Sequence, residues 1–176
     1  MKKLLNPLVV SAFIVTMLLG SLAHLMYGSC QTTKYHYMCQ AYWMPDNLPG
    51  WMILNPDDEG LYVYDDYTDK WRTWYKEGVK MSSSEYLNGK RHGHSVSWYL
   101  NGTKHQVGNY ANGMEYGVHK YWFRNGNLGV SEKFSQSGER ISIENWFYDG
   151  SKRREKFYSK GHLVSWQHWD KDGTNK

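Results

Sequence analysis

Five tryptophans, Trp74, Trp98, Trp122, Trp146 and Trp169, recur at intervals of 24, 24, 24 and 23 residues, each four residues ahead of a glycine. Those glycines, Gly78, Gly102, Gly126, Gly150 and Gly173, alternate with a second series at Gly89, Gly113, Gly138 and Gly161, so that a glycine falls every 11 to 13 residues. A strand of about six residues and a turn of about five fill such an interval, whereas a helical hairpin repeat needs more than about 30. Most of the turns carry Asn or Asp before the glycine: Asn88-Gly89, Asn101-Gly102, Asn112-Gly113, Asn125-Gly126, Asp149-Gly150 and Asp172-Gly173. Such dipeptides accept the positive φ that tight hairpins require. The pattern predicts an all-β fold, an extended antiparallel meander of about five two-stranded units over residues 60–176.

Equivalent residues one period apart lie two strands apart in a meander, about 10 Å at the usual strand spacing. The tryptophans are therefore expected to form a ladder on one face, with Tyr86, Tyr110, Phe134 and Phe157 or Tyr158 at the matching place on the intervening strands. Tyr75, Tyr99, Phe123 and Phe147 follow their tryptophans directly, and strand alternation sends them to the opposite face. Asp170 breaks this second column. All four prolines, Pro7, Pro45, Pro49 and Pro56, precede the array, which leaves its ladder hydrogen bonds uninterrupted.

Ahead of the array, Met1-Lys2-Lys3 opens an uncharged stretch to Ser29 that is densest in apolar residues from Leu8 to Leu19. A positive start before an apolar run is an export signal. Three processings fit residues 1–29: cleavage after Ala23, retention of Leu8 to Tyr27 as a membrane anchor, and lipidation of Cys30 within Tyr27-Gly28-Ser29-Cys30. In each, Lys2 and Lys3 stay cytoplasmic and the repeats lie outside. Residues 30–59 read as a partly ordered spacer and cap for the open sheet end. Cys30 and Cys39 are the only cysteines, able to pair in an oxidising compartment but unsuited to zinc.

The formal net charge of +4 gives no sign of a nucleic-acid partner. Basic residues gather at Lys152, Arg153, Arg154 and Lys156, a solvated hairpin face or a site for an anionic partner. His92 and His94 are the closest histidines, but no cysteine or carboxylate cluster joins them at metal spacing. No Gly-x-Ser-x-Gly elbow occurs, and Cys39 has no recognisable basic partner. The expectation is a protein without catalytic residues, metal or cofactor.

Asn88-Gly89-Lys90-Arg91-His92-Gly93, preceded by Tyr86 and followed by Trp98-Tyr99-Leu100-Asn101-Gly102, resembles a MORN repeat, specifically the bacterial variant of YwqK-type antitoxin proteins. Tyr110-Ala111-Asn112-Gly113-Met114-Glu115-Tyr116-Gly117 repeats the phrase, while the units at Gly138 and Gly161 lack its second glycine. The resemblance covers roughly residues 66 to 173. It implies a scaffold, membrane-associated or partner-binding module, with an antitoxin or immunity-like role in some members.

These readings converge on a non-catalytic repeat protein, membrane-anchored or periplasmic, that binds another macromolecule, expected to be a protein, outside the cytoplasm. The residues expected to bind are the rings Tyr75, Tyr99, Tyr121 and Phe123, taken as exposed. The alternative is a module that stacks such aromatics on cell-wall glycan or lipid headgroups.

Overall fold

A computed structural model of the chain describes residues 6–28, 33–53, 61 and 63–175. Cys30, which carries the lipidation and disulfide expectations, lies outside these residues. The chain divides into two units, residues 1–62 and 63–176.

The first unit opens with helix α1, Pro7–Tyr27. Its start is set by Asn6, whose side chain accepts from the Leu8 N–H, and by Pro7 in the first turn, where a missing N–H costs nothing. Leu8, Phe13, Leu18 and Leu19 are all exposed, and 21 such residues rise about 30 Å, enough to cross a bilayer core. Thr33 caps α2, Lys34–Met38, which continues through a π-helical turn, Cys39–Trp43, into α3, Met44–Asn47, and a 3-10 turn, Gly50–Met52. Met26, Cys39 and Met44 are buried together, with Leu25 and Leu48 packed against them. Short helices thus form where the sequence suggested a spacer.

The second unit is one antiparallel sheet of nine strands in sequence order: β1 Asp69–Trp74, β2 Lys80–Leu87, β3 Lys90–Trp98, β4 Lys104–Ala111, β5 Met114–Trp122, β6 Leu128–Phe134, β7 Arg140–Trp146, β8 Lys152–Ser159 and β9 His162–His168. The meander expected from the glycine spacing is the fold, with four two-strand units and a ninth strand.

The turns are of two kinds. At one end of the strands, the N–H of Tyr75, Tyr99, Phe123, Phe147 and Asp170 donates to the carbonyl four residues on, and the turn glycine donates back to the first residue. At the other end, Asn88-Gly89, Asn112-Gly113 and Lys160-Gly161 form two-residue turns in which both residues have positive φ. Ser135–Glu139 is the exception there: it adopts the five-residue form, with Ser135 Oγ accepting from the Glu139 N–H at 3.0 Å.

The Asn-Gly and Asp-Gly dipeptides therefore do two different jobs. In the five-residue turns Asn101, Asn125, Asp149 and Asp172 stay at negative φ and their side-chain oxygens accept from the N–H two residues on, an Asx turn. Asn101 and Asn125 also use their amide N–H groups, donating to the carbonyls of Arg124 and Tyr148 in the next unit at 3.1 and 2.8 Å. An aspartate has no such donor, so the last two turns lack this link.

Register corrects one expectation. Trp74, Trp98, Trp122 and Trp146 pair with Lys80, Lys104, Leu128 and Lys152 beside the five-residue turns. Tyr86, Tyr110 and Phe134 pair near the other end, with Arg91, Glu115 and Arg140. They do not continue the tryptophan column; alternation along each strand puts them on the opposite face. At the β1 end of the sheet, Tyr64 and Tyr67 pack edge-on to Trp71 with ring centroids 6.5 and 5.3 Å away, and Trp71 is buried.

Candidate binding surface

The tryptophan face is a column in which rings alternate with long side chains. Lys80 Nζ sits 5.6 Å from the Trp98 ring centre and Lys152 Nζ sits 5.1 Å from that of Trp169, distances at which the ammonium favours the ring face. Trp74 is buried and the other four tryptophans are half-buried. The column packs units together, as expected of a ladder.

The rings expected to bind are engaged in the same packing. Tyr75 Oη donates to the Trp98 carbonyl at 2.8 Å and Tyr99 Oη to the Trp122 carbonyl at 2.7 Å, each pegging one unit to the next. Tyr99 further stacks with His105 and carries the Arg124 guanidinium over its face, while Phe123 packs on Tyr148. All of Tyr75, Tyr99, Tyr121 and Phe123 are half-buried, so the assumption that they are exposed does not hold. Tyr75, Tyr99 and Phe123 open the five-residue turns, whereas Tyr121 pairs with Gln106 and Val130 on the face opposite the tryptophans.

That opposite face holds a polar cluster that sequence reasoning misses. His119, wholly buried, lies between Tyr110 and Phe134 with ring centroids 5.1 and 5.2 Å away. Its Nε2 rests on the Asn109 backbone, 2.9 Å from the carbonyl oxygen, and its Nδ1 faces Glu115 Oε1 at 3.6 Å. Glu132 pairs across the strands with His119 and is bound by Arg140 at 3.0 Å. Gln106 donates to Tyr121 Oη at 3.2 Å. Burial first, then the nearby charges of Glu115 and Glu132, push the Tyr121 phenol up to about 12, so it remains a neutral hydroxyl at any physiological pH. One signal is present in the sequence: superposing repeats brings Ser84, Gly108 and Glu132 to one position and Ser95, His119 and Ile143 to its partner.

The basic quartet is divided by the fold. Lys152 Nζ is 2.8 Å from both Glu144 and Glu155; burial opposes its charge, but the two carboxylates hold the ammonium above the ordinary lysine range. Arg153 is skipped by the strand register and its guanidinium lies over the Phe147 ring at 5.4 Å. Arg154, which donates to Asn145 Oδ1 at 3.5 Å, and the half-buried Lys156 share the face opposite the tryptophans, paired with His168 and Trp166 of β9, and Trp166 is 58% exposed. Cys39 is buried, and that burial raises its thiol pKa.

His92 and His94 each bond to a neighbouring strand or turn. His92 Nδ1 accepts from the Asn112 N–H at 3.4 Å, and the His94 N–H donates to Glu85 Oε2 at 2.9 Å. No group of three or more metal-ligating side chains occurs among the described residues.

These features define the class: a single-sheet β-meander repeat protein preceded by a helix long and apolar enough to cross a membrane. No protein-family model and no curated protein matches the chain.

Proposed function

We propose that the chain is a non-catalytic repeat protein that binds another protein outside the cytoplasm and is held at the membrane by α1. One observation carries this reading: among the described residues, the first and last strands of the sheet expose different chemistry. β1 bears Asp69, Lys70 and Arg72, and its Trp71 is covered by Tyr64 and Tyr67. β9, His162–His168, has no Asp, Glu, Lys or Arg and exposes Leu163, Val164 and Trp166. Neighbouring exposed apolar side chains of this kind mark surfaces that bind another protein.

The repeat phrase at residues 86–102 supports an immunity-like version of this function, in which that surface covers a toxin's working surface. Glycan stacking has less support, because Tyr75 and Tyr99 already use their hydroxyls within the array.

Site-specific photocrosslinking in cells tests the proposal. Benzoylphenylalanine at Val164 should give one protein adduct of defined mass in the membrane fraction, with the array open to protease added from outside. The same probe at Lys70 should give none. Absence of adducts from Leu163, Val164 and Trp166, or an array protected inside the cytoplasm, would sink it.

A further inference from the structure

Lysines and glutamates separate onto opposite faces at the centre of the sheet. β4, β5 and β6 carry five such side chains, Lys104, Glu115, Lys120, Glu132 and Lys133. Lys120 stands two residues before Trp122 and so shares its face, and Lys133 pairs with Val118, two residues further back on that face. Lys104 pairs with Trp98 at the position from which Lys80 and Lys152 reach a tryptophan ring. All three lysines therefore lie on the tryptophan face. Both glutamates lie on the other, where Glu132 is bound by Arg140 and Glu115 faces His119.

Register sets the spacing of the lysines. Lys104 pairs with Trp98 beside the five-residue turn, Lys120 with Val107 one step along the face, and Lys133 with Val118 one step beyond. The three form a diagonal over neighbouring strands, each step one strand across and two residues along, about 8 Å. Each lysine thus has an apolar side chain opposite it, of which Val118 is 43% exposed.

These cations are not balanced from within. All three are exposed, and among the described residues none has an ion pair or hydrogen bond. Glu144 of β7, in line with Lys120 through Ser131, is held by Lys152 at 2.8 Å. The repeat does not impose the excess charge. Two units earlier, Lys70 and Glu85 occupy the positions of Val118 and Lys133 and bond at 3.2 Å.

An extended chain with carboxylates on alternate residues spaces them about 7 Å apart, close to the step of the diagonal. Trp98, Val107 and Val118 suit the methylene stems of glutamate, which a phosphate chain lacks. Arginine, the side chain that grips phosphate with two parallel bonds, is missing from the diagonal.

We infer that the tryptophan face binds an extended acidic segment of a partner protein, laid across β4, β5 and β6 and held by Lys104, Lys120 and Lys133. This surface is separate from Leu163, Val164 and Trp166, so the inference goes beyond the reading above.

The test uses the full chain in micelles of an uncharged detergent and a fluorescein-labelled peptide alternating glutamate and serine. Fluorescence anisotropy should show saturable binding that K104Q/K120Q/K133Q weakens by about tenfold or more. K34Q/K160Q/K171Q removes the same charge from exposed sites elsewhere and should leave binding nearly unchanged. K104E/K120E/K133E should lose the acidic peptide and take up its lysine–serine counterpart, with the circular dichroism spectrum of each variant unchanged.

No saturable binding, or equal losses in the two glutamine variants, would overturn the inference. So would tighter binding of an oligothymidylate of the same charge, which would give the face to nucleic acid.

Discussion

His119 fills the space that Gly108 leaves: a Cβ built on Gly108 would lie within 2.3 Å of His119 Nδ1. One unit earlier the same pair of positions is Ser84 and Ser95, whose hydroxyls meet at 2.7 Å. A small residue opposite a large one thus replaces a pair of medium ones at nearly constant volume, and close-packed interiors tolerate such trades.

This exchange lends itself to a double-mutant cycle. Gly108→Ser should destabilise the array by roughly 1–3 kcal/mol through overpacking, and His119→Ser by a similar amount through the void it opens. The double variant recreates the Ser84–Ser95 arrangement and should recover about 1 kcal/mol or more relative to the sum. Urea unfolding followed by circular dichroism measures all three. Strict additivity would mean that the two sites do not share the volume.

The turn links make a second prediction. Asn101→Asp keeps the acceptor for the Thr103 N–H but loses the donor to the Arg124 carbonyl, so it should cost about 1 kcal/mol or less. Asp149→Asn supplies a donor that the native turn lacks and should be neutral or stabilising by a similar amount. Thermal unfolding of both variants checks the opposite signs; destabilisation by Asp149→Asn would count against the inter-turn link.

Acid sensitivity can be assigned to three carboxylates. The His94 N–H and the Lys70 ammonium hold Glu85 below its usual range, and the Ser151 and Thr174 hydroxyls do the same for Asp149 and Asp172. A carboxyl whose pKa is lowered by folding contributes stability above its unfolded value and loses it as pH falls through the folded value. The melting temperature should therefore be flat near neutrality and decline below about pH 4. E85Q should melt lower at neutral pH and show a shallower acid decline; an unchanged acid slope would remove Glu85 from this account.

Cys39 offers a chemical probe of the first unit. Burial raises its thiol pKa, so in a Cys30→Ser background it should react with maleimide more slowly at neutral pH than an exposed thiol, with the rate still rising in alkali. Denaturant should abolish the difference. Fast labelling of the folded protein at neutral pH would show that the packing of Cys39 with Met26 and Met44 is open.

Much of the architecture is legible in the order of residues, for a local reason. Hairpin turns are specified by neighbouring residues, so the glycine series locates every chain reversal and the 24-residue period counts the units. The apolar run from Pro7 to Tyr27 is equally plain, because helix length and apolarity are properties of a contiguous segment. The binding residues are much less legible. Tyr75 and Tyr99 look like free rings in the sequence, yet their hydroxyls end on carbonyls 23 residues away, a contact that no local pattern encodes.

The sequence by itself determined an antiparallel meander, its strand number to within one, and the apolar helix ahead of it. Only the tertiary structure decided which side chains share a face. Each strand pair contains a register shift, and because side chains alternate with a period of two, one skipped residue moves every later side chain of that strand to the other face. That is why Arg153 lies on Phe147 while Arg154 and Lys156 join Trp166, although all three belong to one short basic run. Register is set by hydrogen bonding between strands, so it becomes defined only when they pair.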